Sequence, residues 1–329
     1  MSMQNFRLTM TAMLILALTS LAGADAHSLK AVRFNGTLYV AVRDIAAYYD
    51  LGANQGGGPD RASYRTSTAQ LAAEHDSREI TVNGVTHWLS VPVLESRGQL
   101  WIASLDVLKV VDPVLRQGRL PSKTPVRTVV LDPGHGGSDR GTSGATGREK
   151  ELTLDLAKRV QRLLEAAGVK VVLTRQTDDN VSLDERVAIT ERRHADLFVS
   201  LHFNSGGSAQ GIETYCVPPA GAVSTANAFR RFFGGGGDDR CTSNQFDEKN
   251  VWLAHCVQRQ LLNITGANDR GIRRARYVVI RDASCPAILV ESGFLSNPVE
   301  EQRLLSAEYR DKLAKGITDG ILDYRKTVE

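Results

Sequence analysis

The stretch TVVLDPGHGGSDRGTSGATGREKELTLDLAKRVQRLLEAAG, residues 128–168, decides the fold class. TVVLD is a short apolar run of the buried-strand type. A glycine-rich loop follows it, and then Leu152, Leu156, Val160, Leu163 and Leu164 recur at helical spacing up to a stop at Gly168. Strand, tight loop and amphipathic helix make one βα unit. The alternation continues downstream. VKVVLTR reads as a strand, and SLDERVAITERRHA as a helix with Ser182 at its N-cap and Glu185 three residues on. DLFVSLHFN and GIETYCV read as strands, residues 250–265 as a helix, YVVIR and AILVES as strands, and 299–325 as a terminal helix. Repeated units of this kind predict an α/β domain over 128–326, with a mostly parallel sheet flanked by helices.

In open α/β sheets, sites gather at the carboxyl ends of the strands. His135 follows TVVLD, His202 closes DLFVSL, Glu291 closes AILV, and Glu149 opens the helix after the glycine loop. All four therefore face one side of the sheet. A phosphate cradle is excluded, because residues 134–141 supply neither G-x-x-x-x-G-K-[ST] nor G-x-G-x-x-G. A serine hydrolase is unsupported, because no G-x-S-x-G elbow is present. Two histidines, one carboxylate and a further acid form the inventory of a catalytic zinc site, in which the fourth position holds water. Taken singly, each residue has a plainer reading. A histidine at a strand end is usually a hydrogen-bonded rim residue, and Glu149 alone is an ordinary helix-start acid. Glu291, ending an apolar run, needs a partner wherever it sits. The combination is what points to a metal.

The N-terminal half has a different texture. NGTLYVAVRDIAAYYD (35–50) and RGQLWIASLDVLKVVD (97–112) echo each other at a period of 62, with Gly36, Leu38, Ala41, Asp44 and Asp50 matching Gly98, Leu100, Ala103, Asp106 and Asp112. Each copy reads as a strand running into a short helix, with an aspartate near the helix start. REITVNGVTHWLSV between them reads as a hairpin with an Asn-Gly turn. Residues 29–118 thus form a small α+β domain, expected to serve as a spacer or wall-binding module. RQGRLPSKTPVR (116–127), polar with two prolines, supplies a linker at 119–127.

Composition bounds the rest. The chain has 329 residues, 42% hydrophobic and 23% charged, with a net charge of +3. That balance is too weak to argue for nucleic acid, and no dense Lys/Arg run or aromatic-basic interleaving is present. One base in MSMQNFR, the apolar LTMTAMLILALTSLAGA and two A-x-A sites give residues 1–26 the layout of a secretory leader; the alternative is a membrane anchor, for which the apolar run is short. Export to the periplasm or cell wall is expected, with no stable membrane span. Cys216, Cys241, Cys256 and Cys285 form no C-x-x-C, so they are read as buried thiols or as one or two disulfides of undecided pairing.

The blocks LDPGHGGSDRGTSGATGREKELTLDLA, VVLTRQTDDNVSLDERVAI, ADLFVSLHFNS, GIETY and DRGIRRARYVVIRDASCPAILVESGFLSNP together resemble the zinc-dependent N-acetylmuramoyl-L-alanine amidases of bacterial cell walls, the Amidase_3 family, over roughly 128–325. The resemblance implies one zinc ion held by His135, Glu149 and His202, with Glu291 as catalytic acid/base. Glu151 is the alternative to Glu149 on composition. It further implies peptidoglycan as substrate, with zinc-activated water cleaving the amide between the lactyl group of N-acetylmuramic acid and the L-alanine of the stem peptide. Arg148, Asn204 and Arg281 are candidate substrate contacts. Two other readings compete: a non-catalytic peptidoglycan-binding protein, and a zinc peptidase cutting within the stem peptide. The latter lacks the common H-E-x-x-H motif. Residues 29–118 resemble the small N-terminal domain of some copper amine oxidases. Some Amidase_3 relatives carry an inhibitory helix near the position of 220–250, which implies autoinhibition relieved by an activator protein; the expected state is a monomer.

Overall fold

The structure is a computed structural model that describes residues 13–16, 29–56, 58–116, 120, 124–227 and 240–329. It divides into two units, one of Met1–Gly84 with Leu89–Leu115 and one of Val85–Trp88 with Arg116–Glu329. Of the expected leader 1–26, only Met13–Leu16 is described. Residues 119 and 121–123 of the linker 119–127, and residues 228–239 of the expected inhibitory segment, lie outside the described residues.

In the first unit, β1 (Met13–Leu16), β2 (Leu29–Phe34), β3 (Thr37–Ala41), β8 (Leu94–Ser96) and β9 (Gln99–Ala103) make an antiparallel sheet in the order β1-β2-β3-β9-β8. β4 (Arg61–Arg65), β5 (Gln70–Glu74) and β6 (Glu79–Val82) form an antiparallel meander. The period-62 echo is a structural repeat. β3 runs into α1 (Val42–Tyr48), and β9 runs into the helical segments Ser104–Asp106, Val107–Val111 and Asp112–Leu115. The Tyr49 hydroxyl donates to Asp112 across the repeat at 2.5 Å. The aspartates do not cap, however: Asp106 is buried and instead accepts from the Ser90 amide at 3.0 Å and hydroxyl at 2.7 Å. Asn83 and Gly84 both have positive φ, as the Asn-Gly turn requires.

The second unit holds a sheet in the order β11 (Lys170–Leu173), β10 (Thr128–Pro133), β12 (Leu197–Asn204), β15 (Ala287–Phe294), β13 (Ile212–Cys216), β14 (Asp269–Arg274) and β7 (Val85–Trp88). Every joint is parallel except β13 against β15. Its helices are α2 (Glu149–Ala166), α3 (Leu183–Arg192), α4 (Asp247–Thr265), α5 (Val278–Arg281), α6 (Pro298–Leu305) and α7 (Ala307–Val328). β10 is buried at every position, whereas β12 and β15 lose full burial at His202, Asn204 and Glu291. Core strands covered on both faces read as continuous apolar runs, so the polar residues stand out at their ends. Gly316 and Gly320 lie one turn apart on α7. A Cβ at either would strike the α4 backbone at Leu261 or Val257, at 2.9 and 2.4 Å, so these glycines set how closely the two helices pack.

Three expectations are corrected. Val85–Trp88 belongs with the second unit, not with the domain at 29–118. YVVIR contains a short helix rather than a strand: the amides of Arg281 and Asp282 bond to the carbonyls of Tyr277 and Val278 at 2.8 and 3.1 Å. The strand in that region is the preceding DRGIRR, β14. The terminal helix is broken at Ser306 into α6 and α7, and Asn297 caps α6 by accepting from the Val299 amide at 2.9 Å. Ser182 caps α3 as its spacing predicts, accepting from the Glu185 amide at 3.2 Å. All four cysteines are free thiols, three of them buried.

Candidate metal centre

The carboxyl end of β10 turns sharply at His135, which takes a left-handed φ of 63°. Such a conformation in a non-glycine residue is costly and needs surrounding structure to hold it. Two arginines do so. Arg186 of α3 donates to the carbonyls of Pro133 and His135 at 2.8 and 2.7 Å, and Arg175 donates to those of Pro133 and Gly134 at 3.0 and 2.9 Å. Lys150 clamps the Gly137 carbonyl at 2.8 Å. Asp132, almost fully buried, neutralises Arg186 at 2.5 Å and accepts from Thr174 and Ser200. A buried ion pair with its lone pairs occupied fixes geometry even where its net stabilisation is small.

This frame brings three donors together. His135, Glu149 and His202 each offer one ligand atom, and these atoms lie within 4.8 Å of one another. One Glu149 oxygen lies 3.1 Å from His135 Nε2 and 2.9 Å from His202 Nδ1, and it also accepts from the Phe203 amide at 3.1 Å. The other accepts from the Thr142 amide at 2.7 Å. His135 Nδ1 meets Asp139 at 2.8 Å, leaving Nε2 as the free face toward the cluster. That is the carboxylate–histidine arrangement that orients a metal-ligating imidazole. The two rings stand edge to face, 4.9 Å apart. The glycines make room for them. A Cβ at Gly134 would fall 2.2 Å from the His202 ring, and one at Gly141, where φ is 64°, would fall 2.4 Å from Glu149 and 2.6 Å from His135.

The electrostatics agree with a cation site. Burial pulls His135 down, but Glu149 and Asp139 outweigh it and lift the imidazole to about 9. His202 is raised in the same way, against its burial, chiefly by Glu149. Burial pushes Glu149 up, yet the two histidines hold it at about 2. The pocket thus favours positive charge on the ring nitrogens, which a divalent cation would supply in place of protons.

Glu291 sits one strand away. β15 sets it beside His202 of β12 on one side and Glu213 of β13 on the other. Burial, partly countered by His202, raises its carboxyl to about 7. Its Oε2 is shielded from solvent and has no hydrogen-bond partner, as a carboxylate awaiting a substrate or water would be. A cavity of about 200 Å³ opens beside the cluster, lined in part by His135, Asp139, Asn180, His202 and Val279.

The other expected residues lie apart from the cluster. Glu151 is exposed and pairs with Arg148 at 3.4 Å. Arg281 pairs with its neighbour Asp282 at 2.5 Å. Asn204 donates to Glu213 at 3.4 Å. Sequence reading missed Asp139, Glu213 and the Asp132–Arg186 pair. The spacing His135-x-x-x-Asp139 was the only local signal for any of them.

The Amidase_3 family model, described as N-acetylmuramoyl-L-alanine amidase, matches residues 129–323. The chain belongs to this family. It is 37% identical over 206 residues to the N-acetylmuramoyl-L-alanine amidase LytC of Bacillus subtilis, covering 61% of the chain but 36% of that protein. It is 30% identical over 219 residues to AmiA of Escherichia coli, covering 60% of the chain and 76% of AmiA. Among solved structures, an N-acetylmuramoyl-L-alanine amidase from Clostridium difficile 630 superposes with a TM-score of 0.51 at 34% identity, covering 62% of this chain and 99% of the other. CwlD of Clostridioides difficile, solved in complex with the GerS lipoprotein, superposes at 0.50 with 26% identity over 60% of this chain and 98% of CwlD. The two solved structures share the α/β architecture of the second unit. The Amidase_3 match begins at Val129 and so leaves the N-terminal half unmatched.

Proposed function

We propose that the protein is a peptidoglycan hydrolase that cleaves the amide between the lactyl group of N-acetylmuramic acid and the L-alanine of the stem peptide, with one zinc ion. The observation that carries this reading is the pairing of a three-donor cluster with an orphaned carboxyl oxygen on the adjacent strand. Two imidazoles and one carboxylate in a glycine-made cradle suit zinc, with His135 Nε2, His202 and Glu149 as its holders. When bound, zinc supplies Lewis acidity toward the carbonyl and lowers the pKa of water. The protein's own part is to hold and move a proton. Glu291, with its carboxyl lifted to about 7, accepts a proton from the attacking water and delivers it to the departing alanine nitrogen. Asp139 fixes the tautomer and orientation of His135. Arg148, Asn204 and Arg281 remain proposed substrate contacts, of which Asn204 donates to Glu213, the neighbour of Glu291 in register. Residues 29–84 with 89–115 are proposed as a spacer or wall-binding module. The protein is proposed to be exported and to work as a monomer in the periplasm or cell wall, with an activator protein as partner, a proposal to which the CwlD–GerS complex lends support.

The test is digestion of purified peptidoglycan with mass analysis of the products, comparing the wild type with Glu291→Gln. Stem peptides with an unblocked L-alanine amine, lost in the variant and on chelation, support the amidase. Products cleaved between stem residues would assign a peptidase, and binding without products would assign a non-catalytic wall protein.

A further inference from the structure

Beyond the metal cluster, the row that carries His202 and Glu291 continues across β13 into a group the proposed chemistry does not use. Glu213, 2% exposed, lies next to Glu291 in register. Its Oε1 accepts from Arg270 Nε at 2.6 Å and lies 3.5 Å from Arg273 Nε, while its Oε2 accepts from the Tyr215 hydroxyl at 2.6 Å. Arg270 stacks over the Phe294 ring at 4.8 Å, and Arg273 stacks over the indole of Trp88 at 4.4 Å. Trp88 is fixed in turn, its indole nitrogen donating to the Arg270 carbonyl at 3.2 Å. Two guanidiniums therefore share one buried carboxylate.

The way these arginines use their nitrogens separates them from structural ones. Arg175 and Arg186 donate from Nε and from both terminal nitrogens to protein oxygens. Arg270 and Arg273 donate only from Nε, and their terminal amino groups find no acceptor among the described residues. Their side chains are 31% and 19% exposed, so the forks are half sheltered and still open. A planar fork held by its Nε and by ring stacking loses little further entropy when it captures a carboxylate in two-pronged fashion. Thr214 and His87, on the other face of the same strands, bond to Gln258 and His255 of α4. The arginines thus share the face of Glu291 and of the cluster, away from α4.

We infer that Arg270 and Arg273, clamped by Glu213 and backed by Trp88, form a subsite for a carboxylate of the stem peptide. The inference rests on the proposed amidase reading. In that substrate the lactyl carboxyl of the sugar is consumed in the amide, so free carboxylates belong to the peptide. The subsite selects acidic stem peptides and sets on which side of Glu291 the peptide lies.

The experiment compares a soluble N-acetylmuramoyl peptide bearing free carboxylates with the same peptide fully amidated, in the wild type, Arg270→Gln, Arg273→Gln and Arg273→Lys. The wild type is expected to prefer the acidic peptide by about 10- to 100-fold, through KM rather than kcat. Each Gln variant loses that preference and falls to the amidated value, Arg273→Lys lies between, and metal content stays at the wild-type level. Equal KM for both peptides in the wild type, or an equal loss on both peptides in the variants, overturns the subsite. Release of no L-alanine amine from either peptide is instead a failure of the amidase reading. Titrating the two peptides into Glu291→Gln by calorimetry then decides the subsite without turnover: tighter binding of the acidic form, abolished by adding Arg273→Gln, supports it, and equal binding refutes it.

Discussion

The second unit holds two pairs of histidines, on opposite faces of one sheet, and they behave in opposite ways. His135 and His202 sit at the carboxyl ends of β10 and β12 around Glu149. His87 of β7 and His255 of α4 are fully buried, with ring nitrogens 3.1 Å apart and rings stacked, and Trp252 is stacked on His255 in turn. Both pairs bring imidazoles into contact, and both lose solvation. The carboxylate makes the difference. Glu149 and Asp139 lift His135 to about 9, while burial with no acid beside it lowers His255 to about 3 and His87 well below its ordinary value. The first pair is built to bear positive charge and the second to exclude it. A histidine contact alone therefore says nothing about metal; its nearest carboxylate does.

The largest effects that would break this contrast are catalytic. His135→Ala, Glu149→Ala and His202→Ala should each abolish both metal retention and turnover, measured by elemental analysis and peptidoglycan digestion. Glu291→Gln should retain the metal and lose about 10²- to 10⁴-fold in kcat. A Glu291→Gln protein that turned over normally would remove that residue from the chemistry.

Next come stability effects at the other pair. His255→Ala should destabilise the fold by about 2–4 kcal/mol through a cavity and an unpaired His87 nitrogen, with metal content unchanged, as read by denaturant unfolding. The double variant His87→Leu/His255→Leu should recover part of that loss, because two polar nitrogens already lacking partners, His87 Nδ1 and His255 Nε2, are removed with it.

The pH dependence should then differ in sign between the two pairs. His87 and His255 have folded-state values below 6.5, so the unfolded chain takes up protons first. Their contribution is complete above pH 6.5 and is lost as the pH falls toward about 3. His135, raised from 6.5 to about 9, contributes fully below pH 6.5 in metal-free protein and loses that contribution as the pH rises through 9. Melting temperatures across pH should show both limbs, the acid limb missing in the Leu double variant and the alkaline limb reduced in His135→Gln, where His202 still contributes. An unchanged acid limb in the double variant would mean that the pair is not what titrates. The smallest effect is expected at Ser182→Ala, about 1 kcal/mol from the lost cap of α3, the helix that carries Arg186.

The site was more legible in the sequence than the fold around it. His135, Glu149, His202 and Glu291 each sit where a strand ends or a helix begins, and the alternation of elements places those ends on one side. YVVIR was misread because a short β-branched run fits a strand or one helical turn equally well, and periodicity needs more residues to tell them apart. DRGIRR was passed over because its side chains are charged. They are tolerated because Arg270 and Arg273 settle onto Glu213 and onto the rings of Phe294 and Trp88, partners that lie outside the strand. His87 read as a hairpin residue, since nothing local to THWL reports that its neighbours are β14 and α4.

The strand containing His87 and Trp88 also bears on how this chain could be cut. β7 pairs with β14 at His87 and Ile272, though some thirty residues of the other unit separate it in sequence from the rest of its sheet. A cut at 119–127 would look like a safe place to graft the catalytic part onto another carrier. It would instead strip the last strand, leave β14 as a bare edge open to pairing with other chains, and take away the ring beneath Arg273. The piece that keeps β7 is Val85–Trp88 together with Arg116–Glu329, two fragments that a linker in place of Leu89–Leu115 would have to join.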